Sequence, residues 1–203
     1  MHPARRTSAE PFKGTQGHGM EPDGPMWVVD TSVYTHLARA GHAYVLERLA
    51  PSGIVLVPTD VDREIKAGQE VHADIPDVGI TPWARLVSPS EAEEWTQLEV
   101  KAALGGTATD NLGECAVIAV AKHRGMTALL DDRAAIAQAD LHQVAHHDTL
   151  WLVVEAHFVL FGQDRGRTIK VVDDLIGTGM YLPIESGDSL FVWAWENGWL
   201  PRD

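Results

Sequence analysis

Trp27-Val28-Val29-Asp30-Thr31-Ser32 is the stretch on which the fold of this 203-residue chain turns. Three consecutive apolar residues cannot alternate between a wet and a dry face. The run therefore reads as a short strand buried on both sides, with polar residues at its exit. Asp30, Thr31 and Ser32 each suit the N-cap of a helix, here expected over residues 33–40.

The same pattern repeats downstream. Residues 54–57 read as a second buried strand stopped by Pro58, and Thr59 or Asp60 opens a helix over 61–69. Residues 83–87 are a third short strand. Ser90 with Glu93 is a capping-box pair for a helix that ends at Gly105-Gly106. Thr109 or Asp110 caps a helix over 111–124, whose last turn carries Lys122, His123 and Arg124 before Gly125. Residues 127–130 form a strand that stops at Asp131-Asp132. A short helix (134–139), a short strand (143–145) and a helix (148–161) follow, then helices over 168–176 and 188–197. Strands that are short, apolar and separated by helices predict an α/β domain of three layers, with a short parallel sheet covered on both faces and a helical C-terminal segment.

Composition narrows the function. Lys and Arg number 16 against 29 Asp and Glu, a net charge of −13. Residues 1–25 carry three charges of each sign, so the acidity belongs to the remainder. A broad basic coat for nucleic acid is excluded, because it needs the opposite sign to gain from counterion release. The single cysteine, Cys115, excludes an intrachain disulfide and a Cys-rich zinc site, and fits a reducing cytoplasm. No segment reaches the roughly 18–20 apolar residues of a membrane span, so no membrane partner is expected. Residues 1–25 are rich in Gly, Pro, Ser and Thr and read as a disordered extension, which leaves 26–203 as one domain.

In an open parallel sheet, ligands bind at the carboxyl ends of strands. Acids stand there twice, at Asp30 and at Asp131-Asp132. Glu64 lies in the first turns after the second strand, and Asp110 and Glu114 lie four apart at the start of the long helix. A pocket of carboxylates repels itself unless a cation or protons compensate. An all-oxygen donor set suits Mg2+ or Mn2+, and the chemistry implied is metal-assisted phosphodiester hydrolysis. Each acid also has a plainer reading: Asp30 and Asp110 as helix caps, Asp131-Asp132 as a turn or cap, Glu64 and Glu114 as exposed helix acids, and Asp60 and Asp62 as solvated neighbours of Glu64.

Four blocks in order resemble the PIN-domain family, and more narrowly the VapC-like ribonuclease toxins of type II toxin–antitoxin systems. They are Val28-Val29-Asp30-Thr31-Ser32, Val57-Pro58-Thr59-Asp60-Val61-Asp62-Arg63-Glu64-Ile65, Asp110-Asn111-Leu112-Gly113-Glu114-Cys115-Ala116, and Leu129-Leu130-Asp131-Asp132-Arg133. The resemblance implies a metal quartet of Asp30, Glu64, Glu114 and Asp132, with Asp131 and Asp110 as alternates. Thr31, Ser32 and Arg133 would position substrate. It further implies an endoribonuclease dependent on Mg2+ or Mn2+, a cognate antitoxin protein as partner, a homodimer, and a cytoplasmic location. Two positions depart from the pattern. Many relatives have Asp where Glu114 stands, and Ala135 and Ile136 occupy places that often hold an Arg. A non-enzymatic PIN-like module that binds nucleic acid or a protein is the alternative. A dehalogenase-type phosphatase would need Asp-x-Asp after the first strand, where Asp30-Thr31-Ser32 supplies one Asp.

The remaining features have plain readings. His142 and His146, and the pair His146-His147, lack the partners of a zinc site and read as surface or loop residues. Cys115 reads as a small buried hydrophobe rather than a nucleophile. Among the basic residues, Arg39, Lys66, Lys122, Arg124 and Arg133 flank the acidic blocks and are candidates for RNA phosphate contacts, with surface or helix-end charges as the alternative. Trp151 reads as core, whereas Trp193 and Trp195, two apart, cannot share one helix face.

Overall fold

The computed structural model describes residues 25–200; the expected N-terminal extension lies, but for Pro25, outside the described residues. Five strands form one wholly parallel sheet: β1 (Trp27–Val29), β2 (Val55–Pro58), β3 (Ala84–Val87), β4 (Thr127–Leu129) and β5 (His146–His147), in the order β3-β2-β1-β4-β5. Every residue of β1, β2 and β4 is buried. Adjacent residues of a strand point to opposite faces, so full burial means that helices cover both sides.

The helices are α1 (Thr31–Arg39), α2 (Tyr44–Leu49), α3 (Thr59–Gln69), α4 (Glu91–Leu104), α5 (Leu112–Arg124), α6 (Arg133–Leu141), α7 (Thr149–Val159), α8 (Arg165–Gly177) and α9 (Leu190–Glu196). Cys115 to Ala121 are buried without a break. A helix that is apolar all round belongs in the interior, and α5 packs on β1, β2 and β4 with α3, α4 and α6 about it. A second group, α2, α7 and α8, packs together. The expected three-layer α/β/α architecture is present.

Local boundaries differ from expectation for identifiable reasons. Pro58 does not stop β2 but closes it, pairing with Val87; it sits at the last strand position and is also the N-cap of α3, where its missing N–H costs nothing. The strand expected at 143–145 is a turn. Gln143 takes φ 58° and donates to the Asp140 carbonyl, which moves the pairing to His146–His147. Helix α8 begins at Arg165 rather than 168, because Asp164 caps it through the Arg167 amide. The last helix starts at Leu190, after a 3-10 turn at Gly187–Ser189. Gly187 itself marks a close crossing over α8, since a Cβ there would stand 2.3 Å from the Ile169 carbonyl oxygen. Asp173 fixes the crossing by accepting from the Gly187 amide at 2.7 Å. Among the described residues no helix is long and apolar enough to cross a membrane.

Candidate functional site

The strand order explains why distant acids meet. The chain leaves β1 toward β2 and β3 on one side, and β4 toward β5 on the other. Neighbouring strands β1 and β4 therefore form the switch point, where connections diverge and leave a crevice. Asp30 leaves the end of β1 and Asp131-Asp132 follow β4. The Asp30 amide donates to the Leu129 carbonyl at 3.1 Å, which holds the two exits side by side.

Asp30 is only 2 % exposed. One carboxylate oxygen, Oδ2, accepts from the Ser32 amide at 3.1 Å, the usual bond of an N-cap. The other, Oδ1, is buried with no protein partner. Burial, then the charges of Glu114 and Glu64, push its carboxyl well above the usual carboxylate range against the pull of the Ser32 and Thr31 amides. A cap needs one oxygen. The second, orphaned and pressed by like charges, is the mark of a group waiting on a cation or a proton.

Glu64 reaches from α3 to two other elements. Its Oε2 accepts from the Thr31 hydroxyl at 2.5 Å and its Oε1 from the Gly113 amide at 2.9 Å. The second bond sets a carboxylate on the first turn of α5, where free N–H groups and the helix dipole favour negative charge. Glu114 is the next residue. Its carboxyl is raised by burial and by the charges of Glu64 and Asp132.

Asp132 is exposed and caps α6, with Oδ1 accepting from the amides of Ala134 and Ala135 at 2.8 and 2.9 Å. Both bonds use one oxygen and leave Oδ2 for another role. Asp30, Glu64, Glu114 and Asp132 thus form one electrostatically linked group. As placed, no three Asp, Glu, His or Cys side chains among the described residues clasp a common point. The donor chemistry nevertheless fits a hard divalent cation: carboxylate oxygens only, mutually repelling, one of them buried and unpartnered.

A family model for the PIN domain (DUF3368) matches residues 26–189. The chain belongs to the PIN-domain family. No curated protein matches it. PIN domains are generally nucleases and typically bind divalent metal ions, and the linked acids lie at the strand ends where such a site belongs.

Two of the alternates stand apart in this PIN domain. Asp110 is exposed, and its carboxylate accepts from the Thr107 amide at 2.8 Å within a turn. The Thr107 hydroxyl, then its amide and the charge of Lys101, hold its carboxyl below the usual range, and none of the four linked acids contributes. Neither Asp110 nor Thr109 caps α5: the N-cap position is Asn111, in the left-handed conformation with φ 56° and no side-chain bond. Asp131 spends both oxygens on α7, accepting from the Thr149 amide and hydroxyl, each at 2.9 Å. Burial pushes its carboxyl up to about 6, against these two bonds and a weaker one from Ser32. Its position makes it a clamp between β4 and α7.

The neighbouring charges are more engaged than expected. Asp62 is buried and paired with Lys66 at 2.7 Å, not solvated. Asp60 holds Arg63 and Gln97. Arg39 donates to the Thr178 carbonyl, and Arg124 grips Glu93, so both are committed to the fold. Arg133 remains exposed at the first position of α6. His146 pairs with Asp140, and Lys122 contacts His142. Cys115 is buried and its thiol is pushed up to about 12 by burial, then by Glu114, which fits a packed thiol rather than a nucleophile.

Sequence reading missed the role of Gly113. A Cβ there would stand 2.5 Å from Glu64 Oε2, so only glycine lets the carboxylate rest on the start of α5. The signal was present as the Gly-Glu step at a helix start. Gly113→Ala is expected to displace the Glu64 carboxylate while leaving the fold intact, because the obstacle is the far end of a flexible side chain. Alanine favours a helix interior by about 1 kcal/mol over glycine, so the melting temperature holds or rises. Metal affinity, read by titration of the metal-stripped protein, falls about tenfold or more. An unchanged affinity would show that this seat does not matter.

Proposed function

We propose that this PIN-domain protein is an endoribonuclease that hydrolyses RNA phosphodiester bonds with Mg2+ or Mn2+. The observation that carries the reading is the buried, unpartnered Oδ1 of Asp30, with the carboxyls of Asp30 and Glu114 both held up by burial and by neighbouring acids. Asp30, Glu64, Glu114 and Asp132 would hold the metal. When bound, a divalent ion supplies an activated water and offsets charge developing on the phosphate. The protein's own groups do the positioning. The Ser32 amide fixes Asp30, the Thr31 hydroxyl and Gly113 amide fix Glu64, and the helix-capping bonds fix Asp132. Arg133, next in the chain, is placed to meet a substrate phosphate. Asp131 holds α7 rather than metal.

On the same reading the protein is the toxin of a toxin–antitoxin pair, held in check by a cognate antitoxin and acting as a cytoplasmic homodimer; the support is the resemblance of its four blocks. The second reading, a PIN-like binding module of little activity, is favoured by the net charge of −13 and by the engagement of Arg39, Lys66 and Arg124 within the fold.

The test is cleavage of a mixed RNA pool by metal-stripped protein, with Mg2+ or Mn2+ added back across pH 5–8. Cleavage is expected only with metal. The acid limb should lie above the ordinary carboxylate range, because Asp30 and Glu114 hold their protons to higher pH than free carboxyls and must release them to take a cation. Activity therefore falls as pH is lowered through that raised range. Cleavage that persists in chelator, or none by folded protein at any metal concentration, would defeat the reading.

A further inference from the structure

Beside the acidic group lies a cleft of about 480 Å3. Asp132, Arg133 and Ile136 line it from the start of α6, and Tyr181, Pro183 and Trp193 line it from the C-terminal segment. The volume falls within the range of small-ligand sites, about 300–1,000 Å3, and suits one nucleotide.

We infer that this cleft seats a single unpaired nucleobase, stacked on Tyr181 and Trp193, with Arg133 meeting the phosphate of the same nucleotide. The inference rests on RNA being the substrate, and it adds the feature of the substrate that the site selects.

Three observations carry it. The first is the makeup of the wall. Tyr181 is 82 % exposed, so burial in a core does not explain its ring. Trp193 is half-buried and braced edge-to-face by Trp199, with centroids 4.6 Å apart and planes at 80°. A large exposed ring beside a braced one makes a stacking platform, which takes any base because every base has a π-face. The second is anchoring. The segment that carries Tyr181 and Pro183 leads into Gly187, which is pinned against α8 by its contact with Ile169 and its bond to Asp173. The third is charge. On a chain of −13, the cations at Arg39, Lys66, Arg124 and Lys170 are bound to acceptors of the fold. Arg133 is the one cation among the residues lining the cleft and shares it with three acids, Asp131, Asp132 and Asp148, so phosphate attraction is weak and stacking has to supply the affinity. A base held in a duplex has both faces covered by its neighbours and cannot enter. The site therefore selects single-stranded RNA.

The test reads binding apart from cleavage. Full-length protein in chelator is titrated with a fluorescent four-nucleotide RNA, and with the same sequence in a duplex. Tyr181→Ala and Trp193→Ala are each expected to weaken single-strand binding by about fivefold to 150-fold, the worth of one base–aromatic stack. Trp193→Phe should stay within about threefold. The salt dependence should be shallow, with a log–log slope near −0.7 for about one phosphate. Because Tyr181 is so exposed, its variant keeps the test valid even where Trp193→Ala disturbs folding. Unchanged binding by Tyr181→Ala, duplex bound as tightly as single strand, or no binding by wild type would each overturn the subsite. Selective single-strand binding without metal-dependent cleavage would sink the nuclease reading and uphold the subsite. Cleavage unaffected by either aromatic substitution would do the reverse.

Discussion

Asp30→Asn is expected to abolish metal-dependent cleavage and, at the same time, to stabilise the metal-free protein. The two effects share one cause. Asp30 is 2 % exposed, one of its oxygens is an unpartnered acceptor, and Glu114 and Glu64 press on its charge. Without a cation, that charge is a burden on the fold. Asparagine keeps the shape, keeps an oxygen for the Ser32 amide, and puts N–H groups where the orphaned oxygen stands. Relief of this kind typically stabilises by about 0.5–2 kcal/mol. The pH dependence follows from the sign of the shift. A carboxyl whose folded pKa is raised binds its proton more readily in the folded state, so wild-type stability without metal falls as pH rises through the raised range; the variant loses that part of the slope.

Catalysis moves the opposite way. An amide cannot offer an anionic oxygen to a divalent cation. The loss of about 4 kcal/mol of charge stabilisation corresponds to about a thousandfold in rate. Calorimetry separates this from a folding defect. Metal at about 100 times its dissociation constant stabilises a binding-competent protein by about 2.7 kcal/mol. Wild type should show that shift, and the variant little of it. A variant as active as wild type, or one that is less stable without metal and still metal-stabilised, would remove Asp30 from the site.

The architecture was open to sequence reading because parallel strands buried on both faces cannot alternate. Trp27–Val29, Val55–Pro58 and Thr127–Leu129 stand out as short apolar runs, and each runs directly into a polar helix start. What a linear reading does not hold is the order of the strands. Placing β1 beside β4 is what sets the exits at Asp30 and at Asp131-Asp132 side by side, and nothing local to either segment encodes it. The same limit explains Asp110 and Glu114. Both sit near a helix start four residues apart, but the left-handed turn at Asn111 sends Asp110 outward to Thr107 and leaves Glu114 facing Glu64. Asp131 and Asp132 are adjacent acids with different duties, one tied to Thr149 and the other to α6, and only the position of α7 separates them. Trp193 was legible as an aromatic of the helical tail, but nothing local marked Tyr181. Their sharing one cleft with Arg133 depends on how the chain crosses α8 at Gly187, which no local pattern states.

The second large effect concerns a residue that flanks the acidic blocks without serving them. Arg124→Ala is expected to lower stability by about 2–4 kcal/mol and to leave RNA binding and cleavage within about twofold of wild type. Arg124 bonds Glu93 through Nε at 2.6 Å and a terminal nitrogen at 2.9 Å, and reaches the Ser88 carbonyl at 3.1 Å. Glu93 is 2 % exposed and closes the capping box of α4 by accepting from the Ser90 amide at 2.7 Å. The pair thus ties the last turn of α5 to the first turn of α4. Removing one partner of a buried pair costs about 3–5 kcal/mol, because the other charge is left in the interior; partial exposure of Arg124 moderates that here. For a chain of this size the loss is about 5–15 °C in melting temperature. The pH response is the distinctive sign. The Arg124 hydrogen bond lowers the Glu93 carboxyl to about 2 despite its burial. Its contribution to wild-type stability is therefore full above the unfolded value of 4.5 and is lost as pH falls toward 2. Without Arg124, burial dominates and the carboxyl rises, so the same acidification relieves the variant and narrows the gap between the two proteins. A variant that keeps its melting temperature but loses RNA affinity would instead place Arg124 on the substrate path.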